Sequence, residues 1–127
     1  MLNRLESIKA ETYALLRIAS GCMFSFHGAQ KILGWLAEGR VPVGSQMWVG
    51  GWIELAGGLC IMLGLFTRPA AFLAGGEMAV AYLQFHWKGQ FGDQFFPIIN
   101  HGEMALLYAF IFLSVAARGP GKWSLDK

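Results

Sequence analysis

Residues 48–68 form a nearly unbroken apolar stretch, WVGGWIELAGGLCIMLGLFTR. An α-helix needs about 20 mostly apolar residues to cross the roughly 30 Å hydrocarbon core of a bilayer, and this stretch has that length. Arg68 and Pro69 mark its end, because a basic side chain suits the membrane interface and a proline suits the first turn of the next helix. The stretch therefore predicts a membrane-spanning helix.

Glu54 is the one carboxylate in this stretch. An acidic side chain within a span is costly, and it usually faces a protein interior or a water-filled cavity instead of lipid. Glu77 and Glu103 repeat the feature in two later apolar segments. We therefore expect a small helical bundle in the membrane with a polar interior.

The composition agrees with a membrane protein. Of the 127 residues, 55% are hydrophobic and 14% are charged, against about 25% charged in a typical soluble domain. A soluble protein of 14.0 kDa could not bury so much apolar side chain, whereas lipid can receive it. The formal net charge of +2 is too small to indicate nucleic-acid binding.

The apolar segments predict an all-α fold, an integral membrane four-helix bundle in a single domain over residues 1–127. Its predicted spans are residues 12–33, 48–66, 69–87 and 98–117. Leu2, Leu5 and Ile8 alternate with charged residues, which is typical of a short interfacial helix before the first span. Four spans place both termini on one side, with six lysines and arginines on that side against three on the other. The positive-inside rule thus predicts a multi-pass protein of the cell inner (cytoplasmic) membrane with both termini cytoplasmic.

Three segments resemble a known family: RIASGCMFSFHGAQKILG at 17–34, ELAGGLCIMLGLFTRPAAFLAGGEMAVAY at 54–82, and FFPIINHGEMALLYAFIFLSVAARGPGKWSLD at 95–126. The resemblance is to the DoxX family of small prokaryotic membrane proteins. It implies a four-helix inner-membrane protein that is linked to redox chemistry or oxidative stress, in some members through quinones. One departure is visible: the family often has Asn-Gly-Gly-Glu before the last span, where this chain has Asn100, His101, Gly102 and Glu103.

Polar residues on three spans are predicted to lie at one depth. Glu54 and Glu103 lie six and five residues into their spans from the outer side, and His27 lies six residues before the outer end of the first span. At about 1.5 Å per residue, all three lie on the order of 7–9 Å below the outer boundary. We therefore predict an outer-half ligand-binding pocket, with His27 as proton partner, Lys31 at the mouth, and Asn100 on the same helix face as Glu103. No catalytic residue is assigned.

The chemistry expected for this pocket is the binding of a quinone-like molecule. Arg17 and Glu77 are predicted to form a structural ion pair in the inner half. A metal or haem is not expected, because the Glu-x-x-His spacing of di-metal carboxylate sites is absent and no spacing pairs the three histidines. His86 and His101 receive no role.

Two function classes stay open. The first is a subunit of an oxidoreductase system, which is favoured over a self-contained enzyme because no nucleophile elbow, phosphate loop or dinucleotide motif is present. The second is a non-enzymatic membrane scaffold or small-solute carrier whose buried charges are structural. The expected partner is the lipid bilayer; a soluble oxidoreductase and a homo-oligomer stay open, and nucleic acid is not expected.

Overall fold

The computed structural model describes residues 1–127, and its regular elements are all helical, which confirms the all-α fold. The helices are α1 (Leu2–Ser7), α2 (Lys9–Leu33), α3 (Gln46–Leu63), α4 (Thr67–Ala81, continued by a π-helical segment, Tyr82–Trp87), α5 (Pro97–Asn100) and α6 (Glu103–Arg118). A second π-helical segment, Ile53–Gly57, lies within α3. By length and composition, α3 is the one helix that could cross a membrane. Four membrane crossings therefore remain a prediction.

Local sequence explains most helix ends. Gly34 and Gly64 end α2 and α3 in the left-handed conformation, with φ of +71° and +68°, which glycine adopts without strain. Ser45 precedes α3, and its hydroxyl accepts a hydrogen bond from the Trp48 N–H at 3.1 Å. A glycine thus ends each of these two helices, and a serine marks the start of α3.

The fourth predicted span, residues 98–117, is divided, which corrects the prediction of one continuous helix. His101 takes the left-handed conformation with φ +63°, and α6 begins two residues later. The Gly102 N–H donates to the side-chain oxygen of Asn100 at 2.9 Å, so a side chain replaces the helical hydrogen bond there. A Cβ at Gly102 would lie 2.6 Å from the Tyr82 ring. The break follows from this packing against α4, which helical periodicity does not reveal.

The long helices pack as two antiparallel pairs, α2 with α3 and α4 with α6. Glycines bring α2 and α3 into backbone contact, because a Cβ at Gly28 would lie 2.2 Å from the Leu55 nitrogen and one at Gly58 would lie 2.6 Å from the Ser25 nitrogen. The pairs meet at Phe24 of α2, whose ring centroid lies 4.8 Å from that of Phe112 on α6. Small residues thus close each pair and aromatic residues join the two.

Much of the apolar side chain lies outside this core. Only 26 of the 127 residues are buried, and large apolar residues are exposed on every long helix. Examples are Leu15 and Met23 on α2, Val49 on α3, Phe72 and Leu73 on α4, and Leu107, Phe110 and Leu113 on α6. Soluble monomers rarely leave apolar surface of this extent in water.

The C-terminal tail, residues 119–126, folds back across the N-terminal half of α2, the C-terminal end of α3 and the N-terminal end of α4. The Asp126 N–H donates to the Gly64 carbonyl at 2.7 Å. The Asp126 carboxylate accepts from the backbone N–H groups of Phe66 and Thr67, both at 2.9 Å, and from the Thr67 hydroxyl at 2.6 Å. The tail thereby caps the start of α4, whose first N–H groups have no helical partner.

Candidate functional site

Glu54 points into the interior from the π-helical segment of α3. A π segment adds a residue to one helical turn, and such turns are common at functional sites. The Glu54 side chain is 2% exposed, and its Oε1 accepts a hydrogen bond from the Lys31 ammonium of α2 at 2.6 Å. The Lys31 side chain is 24% exposed, so one end of this ion pair reaches the surface.

Glu77 of α4 joins this ion pair from the opposite side. A Cβ at Gly50 would lie 2.6 Å from Glu77 Oε1, so only glycine leaves room for the carboxyl group there. Gly50 lies about one helical turn before Glu54 on α3, so the Glu77 carboxyl group lies against α3 next to Glu54. Three helices thus bring two carboxyl groups and one ammonium together, and we call Lys31, Glu54 and Glu77 the charged cluster.

The charged cluster lies in the wall of an open cavity of about 1000 Å³ that is lined by residues of α2, α3, α4 and α6. We call this cavity the groove. Its apolar lining includes Phe24, Val49, Ile53, Phe72, Leu73, Met78, Val80, Phe85 and Met104, and its polar lining includes His27, Lys31, Gln46, Glu54, Glu77, His86, His101 and Tyr108. A cavity of this size and lining fits a small molecule with an apolar body and a polar group.

His27, Lys31 and Glu54 all line the groove. His27 lies one turn before Lys31 on α2, and its ring centroid is 6.3 Å from that of Tyr108 on α6. A histidine and a tyrosine can each donate or accept a hydrogen bond. The groove therefore offers further hydrogen-bonding groups beside the charged cluster.

The other two predicted ligand-binding residues lie outside the groove. Glu103 is exposed in the first turn of α6, so it does not face Glu54 as the predicted pocket required. Asn100 is buried, but its amide group donates to the Tyr82 hydroxyl at 3.2 Å and to the Gln94 carbonyl at 2.9 Å. The break between α5 and α6 is the reason, because it changes the direction in which each side chain points.

Arg17 and Glu77 do not form the predicted ion pair. Arg17 is fully buried in the N-terminal half of α2, where its guanidinium donates to the Ile61 carbonyl at 3.1 Å and the Trp123 carbonyl at 2.7 Å. It also donates to the carbonyls of Pro120 and, at 3.0 Å, Lys122. Backbone carbonyls of the tail thus take the place of the expected carboxylate.

Glu77 is the groove residue that sequence reasoning assigned to the wrong place. It lies eleven residues after Phe66, and Glu54 lies ten residues before Gly64, so the two are nearly equidistant from the turn that joins α3 and α4. Equal distances from a tight turn place residues of antiparallel helices at one level. That count was available in the sequence and would have placed Glu77 beside Glu54.

Of the large aromatic residues at the C-terminal end of α4, Phe85 lines the groove. Tyr82 contacts Asn100, and the Trp87 ring packs against Phe91. The structure holds no group of three or more His, Cys, Asp or Glu side chains arranged to bind a metal ion.

Comparison with known proteins identifies relatives of the chain. A sequence model of the DoxX family matches residues 12–87, which include most of α2 and all of α3 and α4. An uncharacterized protein of Haemophilus influenzae (strain ATCC 51907 / DSM 11121 / KW20 / Rd) is 43% identical over 129 residues, covering 98% of this chain and 96% of that protein. No solved structure matches the chain.

Proposed function

We propose that this chain, which belongs to the DoxX family, is a multi-pass protein of the cytoplasmic membrane that binds a quinone-like small molecule in the groove. In this proposal it is a redox- or stress-linked membrane component that works as a subunit of an oxidoreductase system. The observation that carries the proposal is the groove itself, a cavity of about 1000 Å³ whose largely apolar lining also contains the charged cluster with its buried Glu54.

The exposed apolar side chains support the membrane location. They occur on all four long helices, and lipid would remove them from water. Residues 39–45 and the C-terminus would lie on opposite sides of the membrane if α2, α3, α4 and α6 each cross it. Reporter fusions at these two places test the topology, and activity of a periplasm-dependent reporter after Lys127 would contradict cytoplasmic termini.

The side walls of the groove support a lipophilic ligand. Phe72 of α4 lines the groove although it is 70% exposed, and Leu73 and Val80 are likewise both lining and exposed. In a membrane these residues would face acyl chains, so a ligand dissolved in the bilayer could enter between the helices. A quinone-like molecule has the required apolar ring and polar oxygens.

A second candidate function is the scaffold, and one observation favours it. Lys31 and Glu54 form a direct ion pair at 2.6 Å that joins α2 to α3, so part of the buried charge has a structural role without any ligand. If the protein is only a scaffold, a bulky side chain in the groove should not alter its interaction with a quinone. If the groove binds the ligand, the same change should abolish saturable quinone binding.

A matched pair of glycine variants separates the two candidates. Gly76 lines the groove, and a Cβ there would meet no atom within 4 Å, so Gly76→Leu places a bulky side chain in the groove without displacing a helix. Gly57 is equally open but does not line the groove, so Gly57→Leu is the control. We expect a short-chain benzoquinone to quench the tryptophan fluorescence of the purified protein saturably, and Gly76→Leu alone to abolish saturation. Equal, unsaturable quenching of all three proteins would support the scaffold.

A further inference from the structure

Two buried oxygens in the charged cluster have no hydrogen-bond partner, namely Oε2 of Glu54 and Oε2 of Glu77. The Glu54 side chain is 2% exposed, and its other oxygen already accepts from Lys31 at 2.6 Å. An ionised carboxylate only accepts hydrogen bonds, so two ionised groups could not satisfy each other. Neighbouring buried acceptors without donors are rare in folded proteins and need an explanation.

The charges of the cluster pose a second problem. Lys31 supplies one positive charge, whereas two ionised carboxyl groups would supply two negative charges, and burial of an unpaired charge is unfavourable. Arg17 does not compensate, because its guanidinium is bound to backbone carbonyls. The other titratable groups around the groove are His27 of α2, His86 at the end of α4, His101 between α5 and α6, and Tyr108 of α6.

We infer that Glu54 and Glu77 share one proton, so that the charged cluster is a proton-binding site. A single O–H between the carboxyl groups supplies the missing donor, and it makes the cluster of Lys31, Glu54 and Glu77 neutral. One added proton thus removes both the unsatisfied oxygens and the uncompensated charge.

The use of this proton rests on the proposed function, whereas its presence does not. A quinone and its reduced form differ by protons as well as electrons, so a proton held at the wall of the groove lies where a ligand oxygen could receive it. In that transfer the carboxyl O–H bond breaks and an O–H bond forms on an anionic oxygen of the ligand that the oxidoreductase system has already reduced, so no electron moves in this step. The acid pair, rather than His27 alone, is then the proton partner of the ligand.

Infrared spectroscopy of the purified, ligand-free protein at neutral pH tests the inference. Carboxyl groups in water are ionised at neutral pH, so the carbonyl stretch of a protonated carboxyl, identified by its shift in D₂O, reports a buried acid. We expect a band of one protonated carboxyl per chain. Glu54→Gln and Glu77→Gln should each abolish the band, because the remaining carboxylate can pair with Lys31. The control, Glu103→Gln, alters an exposed carboxyl outside the groove and should leave the band intact.

Replacing Lys31 should preserve the protonated-carboxyl band, in contrast to the two glutamate variants. Lys31→Gln removes the positive charge that favours ionisation, so the band should persist to higher pH than in the wild type. Absence of the band in the wild-type protein, or its survival in both glutamine variants, would overturn the shared proton. A band without saturable quinone binding would instead contradict the proposed ligand and leave the proton-binding site standing. The wild-type spectrum decides the first question even if a variant fails to fold.

Discussion

Replacing Arg17 should release the C-terminal tail from the helices. The Arg17 guanidinium is fully buried and donates to the carbonyls of Ile61, Pro120, Lys122 and Trp123. Arg17→Met keeps a long apolar side chain in the same place but removes every donor. Three of the four carbonyls belong to the tail, so the tail can satisfy them by leaving the protein surface for water.

The magnitude follows from these hydrogen bonds. A hydrogen bond to a charged group contributes about 1.5–3 kcal/mol, and a buried carbonyl left without a donor costs about 1–3 kcal/mol. Rehydration of the released tail offsets part of this loss, so we expect Arg17→Met to weaken tail docking by about 3 kcal/mol. Since 1.4 kcal/mol is a factor of ten, the population with an open tail should rise about 100-fold.

Limited proteolysis measures this population. Trypsin cleavage between Lys122 and Trp123 requires the tail to leave the surface, and its rate follows the open population when closing is fast. Arg17→Lys should give an intermediate rate, because one ammonium cannot replace the planar fork of an arginine. Arg4→Gln, which alters an exposed arginine in α1, is the control.

Equal cleavage rates in the wild type and Arg17→Met would refute this account of Arg17. A double-mutant cycle adds a second check, because the structure separates Arg17 from Glu77. The stability losses of Arg17→Gln and Glu77→Gln should add within about 0.5 kcal/mol. A large coupling energy would restore the ion pair that the sequence predicted.

Two further predictions concern helix packing and the α4 cap. Gly28→Ala should lower the free energy of unfolding by more than about 3 kcal/mol, because its Cβ would lie 2.2 Å from the Leu55 nitrogen. Thermal melting measures this loss, with Gly57→Ala as the control. Equal melting temperatures of the two variants would contradict the prediction. Hydrogen bonds from the Thr67 hydroxyl and backbone N–H lower the pKa of Asp126. The folded pKa thus lies below the unfolded value of about 3.9, so the cap stabilises the fold above that pH, and its contribution is lost as the pH falls through the folded pKa. Asp126→Asn should therefore flatten the dependence of melting temperature on pH below about 4, and an unchanged slope would show that the cap contributes nothing.

The helices were predictable from the sequence where local signals determine them. Long apolar stretches predicted the four long helices, and left-handed glycines such as Gly34 and Gly64 end two of them. The break at His101 was not predictable in this way, since it depends on the contact between Gly102 and the Tyr82 ring of another helix. Apolar content cannot reveal a break that tertiary packing imposes.

The groove was harder to predict for two reasons. Pairing opposite charges overlooks backbone partners, and estimating depth in the membrane depends on where the spans are assumed to begin. Arg17 was matched to a carboxylate, but its partners are backbone carbonyls, which have no signature in the sequence. Depth counted from assumed membrane boundaries put Glu77 in the inner half, whereas counting from the turn at Gly64 puts it level with Glu54. Distances counted from a shared turn are more dependable, because both helices start there.

Photoaffinity labelling tests most directly whether the groove binds a quinone-like ligand. A short-chain benzoquinone that carries a diazirine would be photolysed with the protein in membranes, and the labelled residues would be identified by mass spectrometry. We predict labels on groove-lining residues such as Phe85 and Tyr108, with unlabelled quinone competing and Gly76→Leu preventing the reaction. Labels spread over exposed residues such as Leu107 and Phe110, without competition, would contradict a binding site in the groove.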